Sequence, residues 1–509
     1  MFLKVQSATN LGLETIGVDV EVNIASRGLP TFEIVGLPAK SVDESKERVR
    51  TAILNSGLEF PQKRITVNLA PADIPKEGSF YDLPIAVALL ASVANFKIPE
   101  NSLFFGELSL DGSLRHTRGG LLLALFAKEN NFKNVFVPKD SANEAAVVRG
   151  VNIFPVESLS SLLSYLLNKS RIEPLEYRKE EVDTFKAKPD FDMAEILGQE
   201  QAKRAVEISS AGGHNILLLG SPGAGKTMLA RALPGILPSL QEEESLEVTK
   251  IYSAAGKIPP GGSIITSCPY RSPHHTISGV GLIGGGSKPK PGEVSLAHRG
   301  VLFLDEFSEY PRSVMEVLRQ PMEDGKLTIS RTMISVDYPA RFILVASANP
   351  CPCGYLMHPK KQCSCSEREI RKYKKRISGP IMDRIDLHIE VPVVDVKELA
   401  EDDNAKQFLE PSVKIRERVI NARLLQKNRF INDGIFVNAE MKNEQIKKYC
   451  QLPKEAKQIL ISAANKFNLS ARSYFKIIKV ARTIADLENS LKIETSHIAE
   501  AIQYRFKEN

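Results

Sequence analysis

The sequence predicts an α/β protein, with a parallel-sheet core, an independent α+β region before it and a helical region after it. Three observations carry that reading. Residues 215–219 form a short apolar run that passes through a glycine-rich loop into residues 228–233, which continue as a helix and stop at Pro234. Residues 300–304 and 341–348 are further apolar runs of the kind that fill a sheet covered on both faces. The start of the chain alternates instead, as in Val18-Asp19-Val20-Glu21-Val22, whereas residues 481–487 near its end carry apolar side chains at helical spacing.

The loop after the first run reads Gly220-Ser221-Pro222-Gly223-Ala224-Gly225-Lys226-Thr227, a full G-x-x-x-x-G-K-T pattern in the strand-to-helix setting it requires. Glycines there let backbone N–H groups close around a β-phosphate, and the helix N-terminus favours the anion. Lys226 reaches the β and γ oxygens, and the Thr227 hydroxyl is placed to ligate Mg²⁺. The pattern therefore predicts ATP binding. Residues 300–304 run into Asp305-Glu306, two carboxylates at the C-terminal end of a strand, where open α/β sheets bind their ligands. Asp305 is expected to hold Mg²⁺ and Glu306 to polarise water. Asn349, at the end of the third run, is the candidate to orient that water. Arg384 and Arg472 are candidate cations for the charge that develops in phosphoryl transfer, although each read alone fits a surface salt bridge better.

Taken together these residues resemble the AAA+ ATPases of the magnesium-chelatase branch, and more closely the ComM/YifB family. The likeness rests on Gly198-Gln199-Glu200, Arg271-Ser272-Pro273-His274-His275-Thr276, Gly284-Gly285-Gly286, Pro291-Gly292-Glu293 and Asn349-Pro350-Cys351-Pro352-Cys353-Gly354, and it covers nearly the whole chain. The resemblance implies a P-loop NTPase core, with Asn349 as sensor 1, Arg384 as an arginine finger acting in the next subunit, Arg472 as the sensor-2 arginine of a helical lid, and hence a hexameric ring. It also implies a DNA motor of the branch-migration type, with single-stranded or branched DNA as partner. The alternative is a chelatase-like remodeller of a protein partner.

Four segments follow from these readings: an N-terminal domain over 1–170, a charged linker with flanking prolines over 171–190, the ATPase core over 191–395, and a helical lid domain over 396–509. The first resembles the Lon-protease domain at Lys76-Glu77-Gly78, Leu83-Pro84-Ile85-Ala86, Phe105-Gly106-Glu107-Leu108 and Gly119-Gly120. Its Ser–Lys dyad is missing, because leucine follows Gly119-Gly120 where the lysine would fall, and no base is evident near Ser79. Proteolysis is not expected, since a serine needs an adjacent base to become nucleophilic.

Four of the six cysteines are paired as Cys351-x-Cys353 and Cys363-x-Cys365, which favours a tetrahedral zinc site over a disulfide framework. A ligand set in which His358 replaces one cysteine, and uncoordinated or redox-active thiols, are the alternatives. His274 and His275 lack a partner at ligand spacing and fit a substrate loop or a subunit contact. Residues 262–300, rich in Gly, Pro, Ser and Lys, exceed an ordinary loop, and in this ATPase branch they would be an insert facing the pore.

Residues 326–330 and 333–336 read as a hairpin whose Lys326 and tip Arg331 are candidate DNA contacts, an ordinary core hairpin being the alternative. Arg368, Arg371, Lys372, Lys374, Lys375 and Arg376 flank Tyr373, a candidate for base stacking, in a stretch that equally fits a solvated helix face. A net charge of +6 permits polyanion binding without requiring it. The longest apolar stretch falls short of the roughly 18 residues of a membrane span, and the N-terminus lacks signal-peptide features, so a cytoplasmic protein is expected.

Overall fold

The computed structural model describes residues 1–505 apart from 75, 77, 176, 178–189, 287–288, 331–334, 378 and 395–408. The chain forms two compact units, one of residues 1–185, 242–266 and 330–336, the other of 186–241, 267–329 and 337–509.

The first unit is built on strands β1 (Phe2–Leu11), β2 (Glu14–Ile24), β3 (Thr31–Val35), β4 (Arg64–Ala70), β5 (Ser102–Phe104), β6 (Asn134–Pro138) and β7 (Asn152–Val156). They form one mixed sheet in the order β3-β4-β2-β1-β5-β6-β7. β2 is antiparallel to both β1 and β4, and β5, β6 and β7 run parallel. The alternation of β2 is realised: Val18, Val20, Val22 and Ile24 are buried, whereas Asp19 and Glu21 are partly exposed. The helix Asp82–Ala94 is buried from Asp82 to Ala91, and its first carboxylate is offset by Arg48, whose Nε lies 2.8 Å from Asp82 Oδ2, and by the Leu108 N–H at 3.2 Å.

Residues 242–266 follow the phosphate-loop helix in sequence and were expected within the 191–395 core, yet they pack with the first unit. Their helix, Glu242–Ala255, is fastened by the buried carboxylate of Glu144, which accepts the Ser253 hydroxyl at 2.5 Å and the Leu121 N–H at 3.1 Å. Gly261 adds two bonds: its N–H donates to Asp140 O at 2.8 Å, and its carbonyl accepts from the Asn143 amide at 3.1 Å. Nothing in the local pattern of 242–255 announces this partner, because the determinant is a glutamate some hundred residues away in sequence.

The second unit carries β8 (Ile216–Leu219), β9 (Tyr270–Arg271), β10 (Val301–Leu304), β11 (Lys326–Ser330), β12 (Ser335–Pro339), β13 (Ile343–Ala348) and β14 (Leu387–Glu390), except that Ser330 of β11 and Ser335 and Val336 of β12 belong to the first. Five of them form a fully parallel sheet in the order β9-β10-β13-β8-β14. β10, β13 and most of β8 are buried throughout, as their unbroken apolar runs require. Residues 262–300 are not a bare loop. They supply β9, the short helices Gly279–Ile283 and Glu293–Leu296, and a two-residue ladder between Gly284–Gly285 and Lys290–Pro291. β11 and β12 pair as a separate two-stranded sheet, and Arg331 lies outside the described residues.

The C-terminal part is helical, with Ser412–Arg429, Lys454–Lys466, Ala471–Leu487 and Thr495–Gln503. It is locked to the sheet by a buried charge cluster. Asp386 accepts the Asn215 N–H at 3.0 Å and lies 2.8 Å from Lys476 Nζ and 3.7 Å from His214 Nδ1. Burial opposes the charged Asp386, but Lys476 and His214 hold its carboxyl well below the usual carboxylate range. Burial also pushes His214 down, and His388, beside the cationic Arg505, down to about 3.

Two predictions follow from this packing. Both histidines are held below their ordinary pKa of 6.5, so their contribution is complete above that pH and is lost as pH falls below it, for His388 toward about 3. His388 makes stability drop by about 1.4 kcal/mol per pH unit in that window and His214 acts in the same direction, a slope to be read from denaturant unfolding as a function of pH. Separately, Glu144→Ala leaves the Ser253 hydroxyl and the Leu121 N–H without their buried acceptor, a loss of about 1–3 kcal/mol. Urea unfolding and protease cleavage within 242–266 will show it, and Glu144→Gln, which keeps an acceptor, will lose less.

Candidate active site

β10, β13 and β8 are adjacent and parallel, so their C-terminal ends open on one edge of the sheet about 5 Å apart. From β8 comes the phosphate loop and the helix Lys226–Ala232; from β10, Asp305 and Glu306; from β13, between them, Asn349. Gly225 turns the loop into the helix at φ 84°, a left-handed conformation that costs glycine nothing. The Gln199 amide nitrogen pins the loop from behind through the Ala224 carbonyl and, at 3.4 Å, the Pro392 carbonyl.

Lys226 is buried, and its ammonium donates to Gly220 O at 2.6 Å, Ser221 O at 3.0 Å and Asn349 Oδ1 at 3.2 Å. Burial pushes its pKa down, opposed by the charges of Asp305 and Glu306. The Thr227 hydroxyl donates to Asp305 Oδ2 at 3.1 Å, while the Ser347 hydroxyl donates to Oδ1 of the same carboxylate. This all-oxygen set of hydroxyl and carboxylate is the donor chemistry of a hard divalent cation and fits Mg²⁺.

Glu306 sits at φ 49°, a left-handed conformation costing a non-glycine residue about 1–2 kcal/mol. It is held there by its N–H, which reaches Asp305 Oδ1 at 3.0 Å and Ser347 Oγ at 3.2 Å. Its carboxylate is half-exposed and lies 3.3 Å from His275 Nδ1. Two participants escaped the sequence reading. His275 was assigned to a substrate loop or subunit contact, and Ser347 was passed over, although a polar residue in an otherwise apolar strand was a signal.

Arg384 and Arg472 are brought together, but on Glu323. Arg384 Nη2 bonds one Glu323 oxygen, and Arg472 Nη2 lies 2.7 Å from the other. Arg384 also donates to Pro380 O at 2.7 Å. Neither arginine bonds to Lys226, Thr227, Asp305 or Asn349. The two guanidinium groups hold the Glu323 carboxyl below its ordinary range, the Arg384 hydrogen bond being the larger cause.

The four cysteines converge. Cys351, Cys353 and Cys363 place their sulfurs 3.4, 3.5 and 3.7 Å from one another, and with Cys365 all four lie within 4.8 Å. His358 is outside this group, its Nδ1 accepting the backbone N–H groups of Lys360 and Lys361 at 3.0 Å each. Lys326 is exposed and paired with Asp337 at 3.1 Å. The basic stretch lies on the helix Glu367–Lys374 and, with Lys375 and Arg376, just beyond its end; its Arg and Lys side chains are exposed, but Tyr373 is buried with its hydroxyl accepting from Ser308, so it is not available to stack on a base.

In the first unit the Ser79 hydroxyl donates to the Glu107 carboxylate, a neighbouring acid that the sequence reading did not find. Leu121 and Leu122 are buried after Gly119-Gly120, and Lys76 Nζ is buried with no hydrogen-bond partner among the described residues, so no lysine is hydrogen-bonded to Ser79 there.

No helix among the described residues is long and apolar enough to cross a membrane. Comparison with known families matches residues 20–141 to subunit ChlI of Mg-chelatase, 192–399 to magnesium chelatase subunit ChlI, and 409–505 to the ChlI C-terminal region. The chain is 41% identical over 507 residues to the competence protein ComM of Haemophilus influenzae, covering 98% of this chain and 97% of the relative. It is 41% identical over 510 residues to the YifB protein of Escherichia coli, covering 98% and 96%, and 41% over 503 residues to that of Salmonella typhimurium, again 98% and 96%. The chain belongs to the ComM/YifB family of magnesium-chelatase-like AAA+ ATPases.

Proposed function

We propose that this protein is a Mg²⁺-dependent AAA+ ATPase that works as a homo-hexamer and acts as a translocase or branch-migration helicase on single-stranded or branched DNA in the cytoplasm. The observation that carries the ATPase reading is the convergence of Lys226, Thr227, Asp305, Glu306 and Asn349 from three adjacent parallel strand ends. DNA as the substrate is supported by the similarity to a competence protein and by the exposed basic helix Glu367–Lys374, with Lys326 and Arg331 as further contacts. The domains of this reading are a non-proteolytic Lon-like domain over 1–170, a linker over 171–190, a P-loop core over 191–395 and a lid over 396–509.

Thr227 and Asp305 would hold the Mg²⁺, which when bound neutralises the β and γ oxygens of ATP. Lys226 exchanges its contacts to Gly220, Ser221 and Asn349 for phosphate oxygens, and Asn349 is thereby released to orient water. The Glu306 carboxylate, aimed by its left-handed backbone, takes that water's proton as it attacks. Arg384 and Arg472 leave Glu323 and stabilise the charge on the transferred group, Arg384 in the neighbouring subunit. Cys351, Cys353, Cys363 and Cys365 hold a structural zinc, four thiolates leaving no open position for catalysis.

Lys226→Ala will abolish nucleotide binding, and Glu306→Gln will bind ATP while turning it over about 10²- to 10⁴-fold more slowly. Wild-type displacement of a labelled strand from forked or three-strand DNA, absent in Glu306→Gln, is the expected result. ATP hydrolysis with neither displacement nor stimulation by DNA would transfer the assignment to a protein substrate. Arg384→Ala will lose about 10³- to 10⁵-fold in rate. Mixing it with Lys226→Ala will restore part of the activity, because mixed rings contain interfaces with both an intact loop and an intact arginine. No restoration would refute action in trans.

A further inference from the structure

We propose that the zinc held by Cys351, Cys353, Cys363 and Cys365 is a strut for the nucleotide site: it fixes Asn349 and the phosphate loop, so that metal occupancy sets the affinity for nucleotide. This rests on the ATP-site reading above and adds a controlling element to it.

The sulfur positions already match a tetrahedral ion. Zinc–thiolate bonds of about 2.3 Å put sulfurs about 3.8 Å apart around the metal; those of Cys351, Cys353 and Cys363 are 3.4 to 3.7 Å apart, and Cys365 completes the set within 4.8 Å. A disulfide requires about 2.05 Å. All four are free thiols, Cys351 fully buried and the others partly so.

The first pair lies against the nucleotide site. Cys351 is two residues beyond Asn349, whose side-chain oxygen accepts from Lys226. The turn that follows closes with the Gly354 N–H donating to Cys351 O at 3.0 Å, and Gly354, at φ 82°, packs directly on the phosphate loop. A Cβ at this glycine would stand 2.6 Å from Pro222 Cδ. The turn that carries Cys351 and Cys353 thus packs against the Gly220–Thr227 loop at Pro222.

The second pair reaches the acidic strand end. Cys365 directly precedes Ser366, which caps the helix Glu367–Lys374 in a reciprocal capping box with Glu369. That helix buries Tyr373 against Ser308, two residues beyond Glu306. The ion would therefore tie the ends of β13 and β10 together through both of its ligand pairs.

Between the pairs the chain is held by local contacts within the loop, with His358 Nδ1 accepting the Lys360 and Lys361 N–H groups and Lys361 lying over the Tyr355 ring. Leu356, Met357, Pro359, Lys360, Lys361 and Gln362 are exposed, so the segment lacks an apolar core. Small segments of this kind depend on a metal for their conformation. Losing the metal frees the turn under Pro222 and the backbone that carries Asn349, while the sheet and its buried core remain.

The test uses the full-length protein. Metal analysis is expected to find about one zinc per chain, and Cys363→Ser, which touches neither Asn349 nor Pro222, is expected to lose it. Binding of a fluorescent ATP analogue is then measured without Mg²⁺ on wild type, on wild type stripped by a zinc-selective chelator, and on stripped protein resupplied with zinc. Stripping should weaken binding by about 10- to 100-fold, and zinc should restore it, with far-ultraviolet circular dichroism unchanged.

The reversible arm keeps the test decisive if Cys363→Ser fails to fold. No bound metal, or the visible absorption of a ferric tetrathiolate, would overturn the zinc assignment. Bound zinc whose removal leaves affinity unchanged would overturn the strut. A zinc-loaded wild type that binds no nucleotide even when Mg²⁺ is supplied would instead refute the ATP-site reading on which the strut depends.

Discussion

The buried ammonium of Lys226 is the constraint around which the second unit is arranged. A charge removed from water is tolerated only when its donors are satisfied, and an ammonium has three. The structure spends them on two carbonyls of the loop and on the side chain of Asn349. That demand fixes how far the loop folds back and makes β13 deliver a polar residue beside β8. The same burial depresses the pKa of the lysine, so the site favours a ligand whose negative charge offsets the desolvation. A phosphate at the loop satisfies that requirement better than neutral carbonyls do.

How much of this was legible in the sequence depends on whether a determinant is local. The phosphate loop, the acidic strand end and Asn349 were readable because each is a short apolar run with a polar terminus, and the period of such a run specifies a buried parallel strand. Their convergence was readable too, since parallel strands share one C-terminal edge. The docking of 242–266 was not, because Glu144 and Ser253 lie far apart in sequence and neither is unusual where it stands. Tyr373 shows the opposite failure. Flanked by six basic residues it looks like a stacking platform, yet at its helical position it points inward to Ser308, and only the exposed lysines and arginines remain for a polyanion.

The cysteine cluster was legible as a ligand set but not as to its ligands' identity. Spacing alone left His358 as a substitute for one thiolate. The backbone decides against it by turning Nδ1 onto two N–H groups of its own loop, while the four sulfurs gather elsewhere. Ser79 illustrates the same limit in the first unit: whether a serine has a partner is a three-dimensional question, and its partner is an acid rather than the lysine that a dyad requires.

Glu323 explains how two arginines can be both held and available. Arg384 and Arg472 arrive from segments almost ninety residues apart and share one carboxylate that is half-exposed. An ion pair in that setting is worth only about 0–1 kcal/mol, far less than the several kcal/mol an arginine contributes to a phosphoryl transition state. In the proposed mechanism the pairing orders the guanidinium groups at little cost to their use at the transferred phosphate. A fully buried carboxylate would have done the reverse, as Asp386 does with Lys476, where the same chemistry, cut off from water, becomes a fixed part of the packing between the helical region and the sheet. Exposure of the carboxylate, more than residue type, separates the pairs of Glu323 from the buried pair of Asp386.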